Sequence, residues 1–279
     1  MHRVSGRGRV AAAGLCVALL FVVAGAAIGA TTTPAIQTST PRSANQITNL
    51  DVLRQQIRNY YGDPLGTGII GADSAYVEEV HAVEARAALW LRLNAIGNRP
   101  KLAIVLDIDD TSLTTWNYEI ASNWDFSPVT STEFGVDQKF PPVPGMVALV
   151  QAARNEGYAI FWITGRPATV EAASLGNLTH DGIGIDAGYP VPSTLSDGED
   201  GLYTKPAVAD YPVYLQQACA AELAQTLACT TIHYKSATRA HIESLGYDIV
   251  ASFGDQYSDL SGGHADLTFK MPNPNYFLP

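Results

Sequence analysis

The chain has 279 residues, of which 47% are hydrophobic and 16% are charged, and its formal net charge is -10. This length and composition provide for one large α/β domain or two small ones, with enough apolar material for a sizeable core. The excess of acidic residues argues against nucleic acids and anionic lipid surfaces as partners, because both favour basic proteins.

The first thirty residues have the three-part layout of a secretory signal peptide. Three arginines and no acidic residue lie within residues 1–9, an apolar run covers 10–23, and small residues at 24–26 offer a cleavage point. An uncleaved membrane anchor is the alternative, because 10–30 is just long enough to span a bilayer. We therefore expect a secreted protein that has no stable membrane association after cleavage.

A flexible spacer and one folded domain are predicted to follow. Residues 31–47 are rich in Thr, Ser and Pro and lack periodicity, which is typical of a spacer. Apolar residues then recur every three or four positions, which predicts helices over 50–61 and 73–96. No internal repeat or second boundary is evident, so 48–279 is predicted to be a single domain.

A buried strand that ends in acidic residues is the most informative stretch. Residues 102–106 are apolar and mostly branched, which favours a strand that is buried on both faces. Asp107, Asp109, Asp110 and Thr111 follow at its carboxyl end, where open α/β sheets place their active sites. Carboxylates that share one side of a crevice repel each other, so they require a cation, a shared proton or solvent.

The remaining chain alternates between predicted helices and strands. The aromatic-rich segment 116–140 is predicted to be a long loop, either a functional lid whose rings wall the pocket or an ordinary satellite core. Apolar patterns then predict helices over 146–156, 211–227 and 236–245 and strands over 158–163, 201–204 and 247–253. This alternation predicts a doubly wound parallel sheet with right-handed crossovers.

Three of these strands finish in polar groups, which a doubly wound sheet brings to one edge. The groups are Asp107 with Asp109, Thr164, and Asp255 with Asp259. Carboxylate and hydroxyl oxygens are hard ligands, so they predict magnesium or a similar ion rather than zinc. Neither a P-loop motif nor a G-x-S-x-G motif is present, which leaves carboxylate chemistry on a phosphoryl group as the favoured reaction.

Two cysteines remain outside the predicted signal peptide. In an exported protein the pair Cys219 and Cys229 is predicted to form a disulfide; two buried thiols on a helix are the alternative. An unbroken helix would hold the two residues too far apart, so the bridge requires the helix to end near Leu227.

Four motifs in this order resemble the signature of the haloacid dehalogenase (HAD) superfamily. They are D-I-D-D-T at 107–111, T-G-R at 164–166, Lys235, and G-D-Q-Y-S-D at 254–259. The stretches 235–243 and 269–279 further resemble the acid phosphatase branch, which includes plant acid phosphatases, vegetative storage proteins and secreted bacterial relatives. The resemblance covers roughly 48–279 and implies a HAD-like core with a helical N-terminal extension and a small cap or none.

The resemblance implies a catalytic role for four residues. Asp107 would be the nucleophile that forms an aspartyl-phosphate, and Asp109 would protonate the leaving alcohol and then activate water. Thr164 would donate its hydroxyl to a phosphoryl oxygen, and Lys235 would offset negative charge. Arg166 and Arg239 are left outside this set as candidates for structural ion pairs.

A magnesium site is also implied. The ion would be held by Asp107, the backbone carbonyl of Asp109 and Asp255, with Asp259 as an additional or outer ligand. We therefore expect a secreted, magnesium-dependent acid phosphatase that acts on small phosphate esters. A phosphotransferase and a secreted storage or metal-binding protein are the alternatives, and the intact pair Asp107 and Asp109 favours an enzyme.

Overall fold

The computed structural model describes residues 40–96, 99, 101–180, 183–195, 198 and 200–278, so the predicted signal peptide and most of the predicted spacer lie outside the described residues. The strands are β1 (Leu102–Leu106), β2 (Ala159–Pro167), β3 (Leu202–Lys205), β4 (Asp248–Gly254) and β5 (Leu267–Lys270). The helices are α1 (Leu50–Tyr60), α2 (Ala75–Ala95), α3 (Trp116–Ser122), α4 (Pro128–Val136), α5 (Met146–Asn155), α6 (Glu171–Leu178), α7 (Val213–Ala218), α8 (Ala220–Leu223), α9 (Thr231–Ser244) and α10 (Tyr257–Leu260). Within the described ranges, none of the helices combines the length and apolar character that a bilayer crossing requires.

The five strands form one parallel sheet in the order β3-β2-β1-β4-β5, which confirms the predicted fold class. The central strand β1 pairs with β2 and β4, and its last residue, Leu106, lies opposite Trp162 and Phe253. The residues that follow these three positions therefore meet at one edge of the sheet.

Both faces of the sheet are covered, as expected for a doubly wound fold. Side chains alternate along β1, so Ile104 and Leu106 join one apolar cluster while Ala103 and Val105 join the other. Helices α2 and α5 contribute to the first cluster, and α7 and α9 contribute to the second. The apolar run of β1 thus fixes the strand in the middle of the core.

The aromatic-rich segment 116–140 is helical, so the prediction of a long loop was wrong. It forms α3 and α4, which have seven and nine residues. Helices this short give too few turns for an apolar period to be visible. Their ends do carry local signals: Asn123 takes a left-handed conformation after α3 (φ 56°), and Pro128 opens α4.

Other predicted boundaries also differ from the structure. Strand β2 continues to Pro167, and α9 begins at Thr231, five residues before the predicted start at 236. The Thr230 hydroxyl accepts a hydrogen bond from the His233 N–H (3.2 Å) and so caps α9. Strand β5 was not predicted, because its four residues are too few to show an alternating pattern.

Cys219 and Cys229 form a disulfide, with their Cα atoms 5.3 Å apart. The predicted helix 211–227 does not run to Leu227 but is interrupted at Cys219, which separates α7 from α8. The chain then turns back through Thr226, which has a positive φ of 60°. This early interruption brings the two cysteines together at the edge of the second apolar cluster.

We expect the double variant Cys219→Ala/Cys229→Ala to lower the free energy of unfolding by about 2–3 kcal/mol, because the bridge restricts the unfolded chain. Urea denaturation of both proteins, with and without reductant, measures this change. Reductant should destabilise the natural protein and leave the double variant unaffected. Two reactive thiols in the unfolded, unreduced natural protein would contradict the assignment.

Candidate active site

A cavity of about 630 Å³ opens at the carboxyl edge of the sheet, and we call it the central cavity. Asp107, Asp109, Lys235, Asp255 and Asp259 all line it. The topology explains this convergence, because β1 and β4 lie side by side and α9 leads into β4. Most of the candidate residues from the sequence are therefore brought together by the fold.

Asp107 occupies the first position after β1 and is 7% exposed. Its N–H donates to the Phe253 carbonyl (3.0 Å), which continues the β1–β4 pairing by one step. The next turn folds back on itself, since the N–H groups of Ser112 and Leu113 both donate to the Ile108 carbonyl. The backbone around Asp107 is thus held on both sides.

Lys235 reaches the cavity from α9 and is almost completely buried. Its ammonium donates to the Asp107 carboxylate (2.6 Å) and to the Asp259 carboxylate. Burial opposes the charge on Lys235, but the two carboxylate partners outweigh burial and raise the pKa of the ammonium. Lys235 is therefore a permanent cation between two acids.

Asp107, Asp255 and Asp259 form an acidic triad in which one oxygen from each carboxylate lies within 4.8 Å of the others. All three side chains are buried. Burial raises the pKa of Asp107 to about 7 and raises the pKa of Asp255 well above its usual range. Three carboxylates against one ammonium leave an excess of negative charge, so the triad fits a divalent cation that prefers oxygen ligands.

The triad is held by donors that lie just after β4 and near the end of the described chain. The Gln256 and Asn273 amides donate to Asp255 at 2.6 Å and 2.7 Å. The Gln256 backbone N–H donates to Asp259 at 2.8 Å. These bonds orient the two carboxylates, and both residues line the central cavity.

Asp109 stands apart from the triad. Its carboxylate accepts two hydrogen bonds from the Arg166 guanidinium, at 2.6 Å and 3.0 Å. This two-point geometry fixes the carboxylate more firmly than a lysine would. The Asp109 side chain remains 30% exposed, so it is open to the central cavity.

Thr164 lies within β2 and is fully buried. Its hydroxyl accepts a hydrogen bond from the Arg166 N–H at 3.2 Å. The Arg166 side chain reaches the cavity wall, whereas contact between Thr164 and a phosphoryl group stays a prediction.

Comparison with known proteins shows the family. The sequence profile described as "HAD superfamily, subfamily IIIB (Acid phosphatase)" matches residues 27–279. The chain belongs to this subfamily.

This chain has relatives among plant proteins. It is 27% identical to the "Stem 28 kDa glycoprotein" of Glycine max over 184 residues, which cover 64% of this chain and 61% of that protein. It is 24% identical to "Acid phosphatase 1" of Solanum lycopersicum over 207 residues, which cover 73% of this chain and 69% of that protein. The chain therefore spans less than two thirds of the length of the Glycine max relative.

A solved structure shares the fold of this chain. The class C acid phosphatase from Bacillus anthracis aligns with a TM-score of 0.55 and 18% identity, over 81% of this chain and 86% of that chain. At this identity the likeness concerns the fold. It agrees with the parallel five-stranded sheet described above.

The sequence alone assigned no role to Asp110. Asp110 is buried and has a positive φ of 49°. Its carboxylate accepts hydrogen bonds from the Thr115 N–H (2.9 Å) and the Thr115 hydroxyl (2.6 Å), and it also binds the Tyr276 hydroxyl. Asp110 therefore ties the turn after β1 to the start of α3 and to the end of the described chain.

Residues 273–278, which we call the C-terminal strap, form one wall of the central cavity. The Trp124 indole N–H donates to Asn275 (3.1 Å), and Asn275 donates to the Tyr61 hydroxyl (3.0 Å). The Leu278 N–H donates to the Gln256 side chain (2.9 Å). Local sequence shows no such role, because the strap has no regular secondary structure and is placed by contacts with distant residues.

The aromatic wall predicted from 116–140 is present only in part. Tyr118, Trp124, Phe126 and Phe140 line the central cavity. Trp116 instead stacks on Tyr61 in the core, with ring centroids 4.2 Å apart. Because the segment is helical, its rings lie on two sides, and the sequence alone did not show which rings line the cavity.

Arg166 and Arg239 differ in their settings. Arg166 forms an ion pair with Asp109 and lines the cavity, although sequence reasoning left it outside the catalytic set. Arg239 is buried behind the triad, where it donates to the backbone carbonyls of Asp259 (2.6 Å), Ser261 and Gly263 (2.9 Å). Arg239 is therefore a structural residue that shapes the loop bearing Asp259.

We expect Arg239→Met to lower the free energy of unfolding by roughly 2–4 kcal/mol, because three carbonyls lose a charged donor. The free energy of unfolding of Arg239→Lys should lie between those of the natural protein and Arg239→Met, because lysine restores only some of these hydrogen bonds. Chemical denaturation measures both changes, and Arg86→Met at an exposed position of α2 is the matched control. An Arg239→Met protein as stable as the control would contradict this role.

Proposed function

We propose that this protein is a magnesium-dependent phosphomonoesterase, an acid phosphatase, that hydrolyses small phosphate esters through an aspartyl-phosphate. The observation that carries the proposal is the placement of Asp107. Its buried carboxylate accepts a hydrogen bond from Lys235 and lies near two further carboxylates, while Asp109 is held beside the same cavity by Arg166. Membership of the acid phosphatase subfamily supports the same reaction.

Binding would be governed by charge. A phosphate dianion cannot approach the acidic triad unless negative charge is offset. Magnesium held by Asp107, Asp255, Asp259 and the Asp109 carbonyl would supply positive charge at the phosphoryl group. Lys235 adds a fixed ammonium on the Asp107 side of the cavity. Thr164 remains the proposed hydroxyl donor to a phosphoryl oxygen.

In the first step, an Asp107 carboxylate oxygen attacks phosphorus and the bond to the leaving oxygen breaks. Asp109 gives its proton to that oxygen, so an alcohol departs and Asp107 carries the phosphoryl group. Arg166 positions Asp109 for this transfer through its two hydrogen bonds. Lys235 balances the charge of the Asp107 carboxylate before attack.

In the second step, Asp109 acts as the base. It takes a proton from water as the water oxygen attacks phosphorus, and the bond to the Asp107 oxygen breaks. The products are inorganic phosphate and the free Asp107 carboxylate, and Asp109 is again protonated for the next turnover. Export of the protein is part of the proposal and depends on the signal-peptide pattern in residues 1–30.

We expect the protein without its predicted signal peptide, residues 31–279, to hydrolyse p-nitrophenyl phosphate with magnesium, and EDTA to reduce the rate by about 100-fold or more. Asp107→Asn should reduce kcat by about 1,000-fold or more, because it removes the nucleophile. Asp210→Asn, at an exposed site, is the matched control. Turnover that survives Asp107→Asn would show that the nucleophile is another residue.

We expect Asp109→Asn to reduce kcat/KM for phenyl phosphate more than for p-nitrophenyl phosphate, because the poorer leaving group needs the proton that Asp109 gives in the first step. Steady-state kinetics with both esters measures the two losses. Equal losses with both esters would contradict the role of Asp109.

A further inference from the structure

A fifth carboxylate of the central cavity is not used by the proposed mechanism. Glu119 lies on α3, is 8% exposed, and lines the cavity. Burial raises the pKa of Glu119 to about 7, and the nearby Asp110 carboxylate adds to the rise. A buried carboxylate of this kind requires a proton or a cation as a partner.

The protein itself supplies no partner to Glu119 in the part of the chain that the structure describes. No hydrogen bond or ion pair reaches its carboxylate from those residues. The cations of the cavity wall are engaged elsewhere. Arg166 binds Asp109, Lys235 binds Asp107 and Asp259, and Lys205 donates to the Cys229 carbonyl (3.0 Å). Glu119 therefore remains available to a ligand.

Aromatic side chains line the same cavity as Glu119. Tyr118 precedes Glu119 on α3, and the Trp124 backbone N–H donates to the Glu119 backbone carbonyl (3.0 Å) at the end of α3. Phe126 lines the cavity too and packs edge-on against Tyr118, with centroids 6.5 Å apart. Aromatic faces attract ammonium groups, and the attraction strengthens where water is excluded.

We propose that Glu119 and the aromatic rings that line the same cavity form a subsite for a positively charged leaving group, so that phosphomonoesters of amino alcohols are preferred substrates. The inference rests on the proposed phosphatase function. The substrate phosphate would lie at the acidic triad, and its ammonium group would lie against Glu119 and the aromatic wall. Glu119 is thus a specificity-determining residue and takes no part in bond breaking.

The test compares two esters of the same shape. Phosphocholine carries a positively charged nitrogen at the position where 3,3-dimethylbutyl phosphate carries a neutral carbon. We expect the natural protein to favour phosphocholine in kcat/KM by about tenfold or more. We expect Glu119→Gln to reduce that ratio to about threefold or less, because the neutral amide cannot pair with the ammonium.

The controls separate the possible results. Glu133→Gln, at an exposed position of α4, should keep the natural ratio. Glu119→Met, which buries no polar group, serves as the second variant if the glutamine variant does not fold, and the same drop in ratio is expected. A ratio near one in the natural protein, or a ratio that Glu119 variants leave unchanged, would overturn the inference.

The result also distinguishes this inference from the function on which it rests. Hydrolysis of p-nitrophenyl phosphate and the neutral ester without a preference for phosphocholine would overturn the subsite and leave the phosphatase function standing. Absence of turnover with all three esters would overturn the proposed function, and the subsite with it.

Discussion

The burial of three carboxylates beside one ammonium is the constraint on which the structure depends. Asp107, Asp255 and Asp259 are carried by β1 and by the segment after β4, and Lys235 comes from α9. Such a group is unfavourable unless each charge has a fixed partner. The neighbouring polar residues, including Gln256, supply those partners. The buried strands β1 and β4 fix the backbone of the segments that carry these carboxylates, and so keep the like charges close together.

The sheet and much of the site followed from the sequence because both depend on local patterns. The apolar run of β1 ends at Asp107, and strands with this ending converge in a doubly wound sheet. The short helices α3 and α4 did not follow, because seven or nine residues give no clear period. Arg166 was undervalued for a different reason, since its partner Asp109 lies 57 positions away and only the fold brings them together.

Two kinds of carboxylate share the central cavity, and their partners distinguish them. Asp107 and Asp109 each contact a basic side chain, so their charge and direction are set by the protein. Glu119 lacks such a partner among the residues described and lines the cavity together with aromatic residues. The first kind suits chemistry that needs fixed atoms, whereas the second suits recognition of a group that arrives with the substrate.

The C-terminal strap links parts of the protein that are far apart along the chain. Asn273 binds Asp255, and Asn275 bridges Trp124 to Tyr61 near the start of the described chain. One short segment therefore contacts a carboxylate of the acidic triad, an aromatic residue of the cavity wall and the end of α1. A single cut in the strap would loosen all three contacts together, so the geometry of the acidic triad and the integrity of the cavity wall depend on the same few residues.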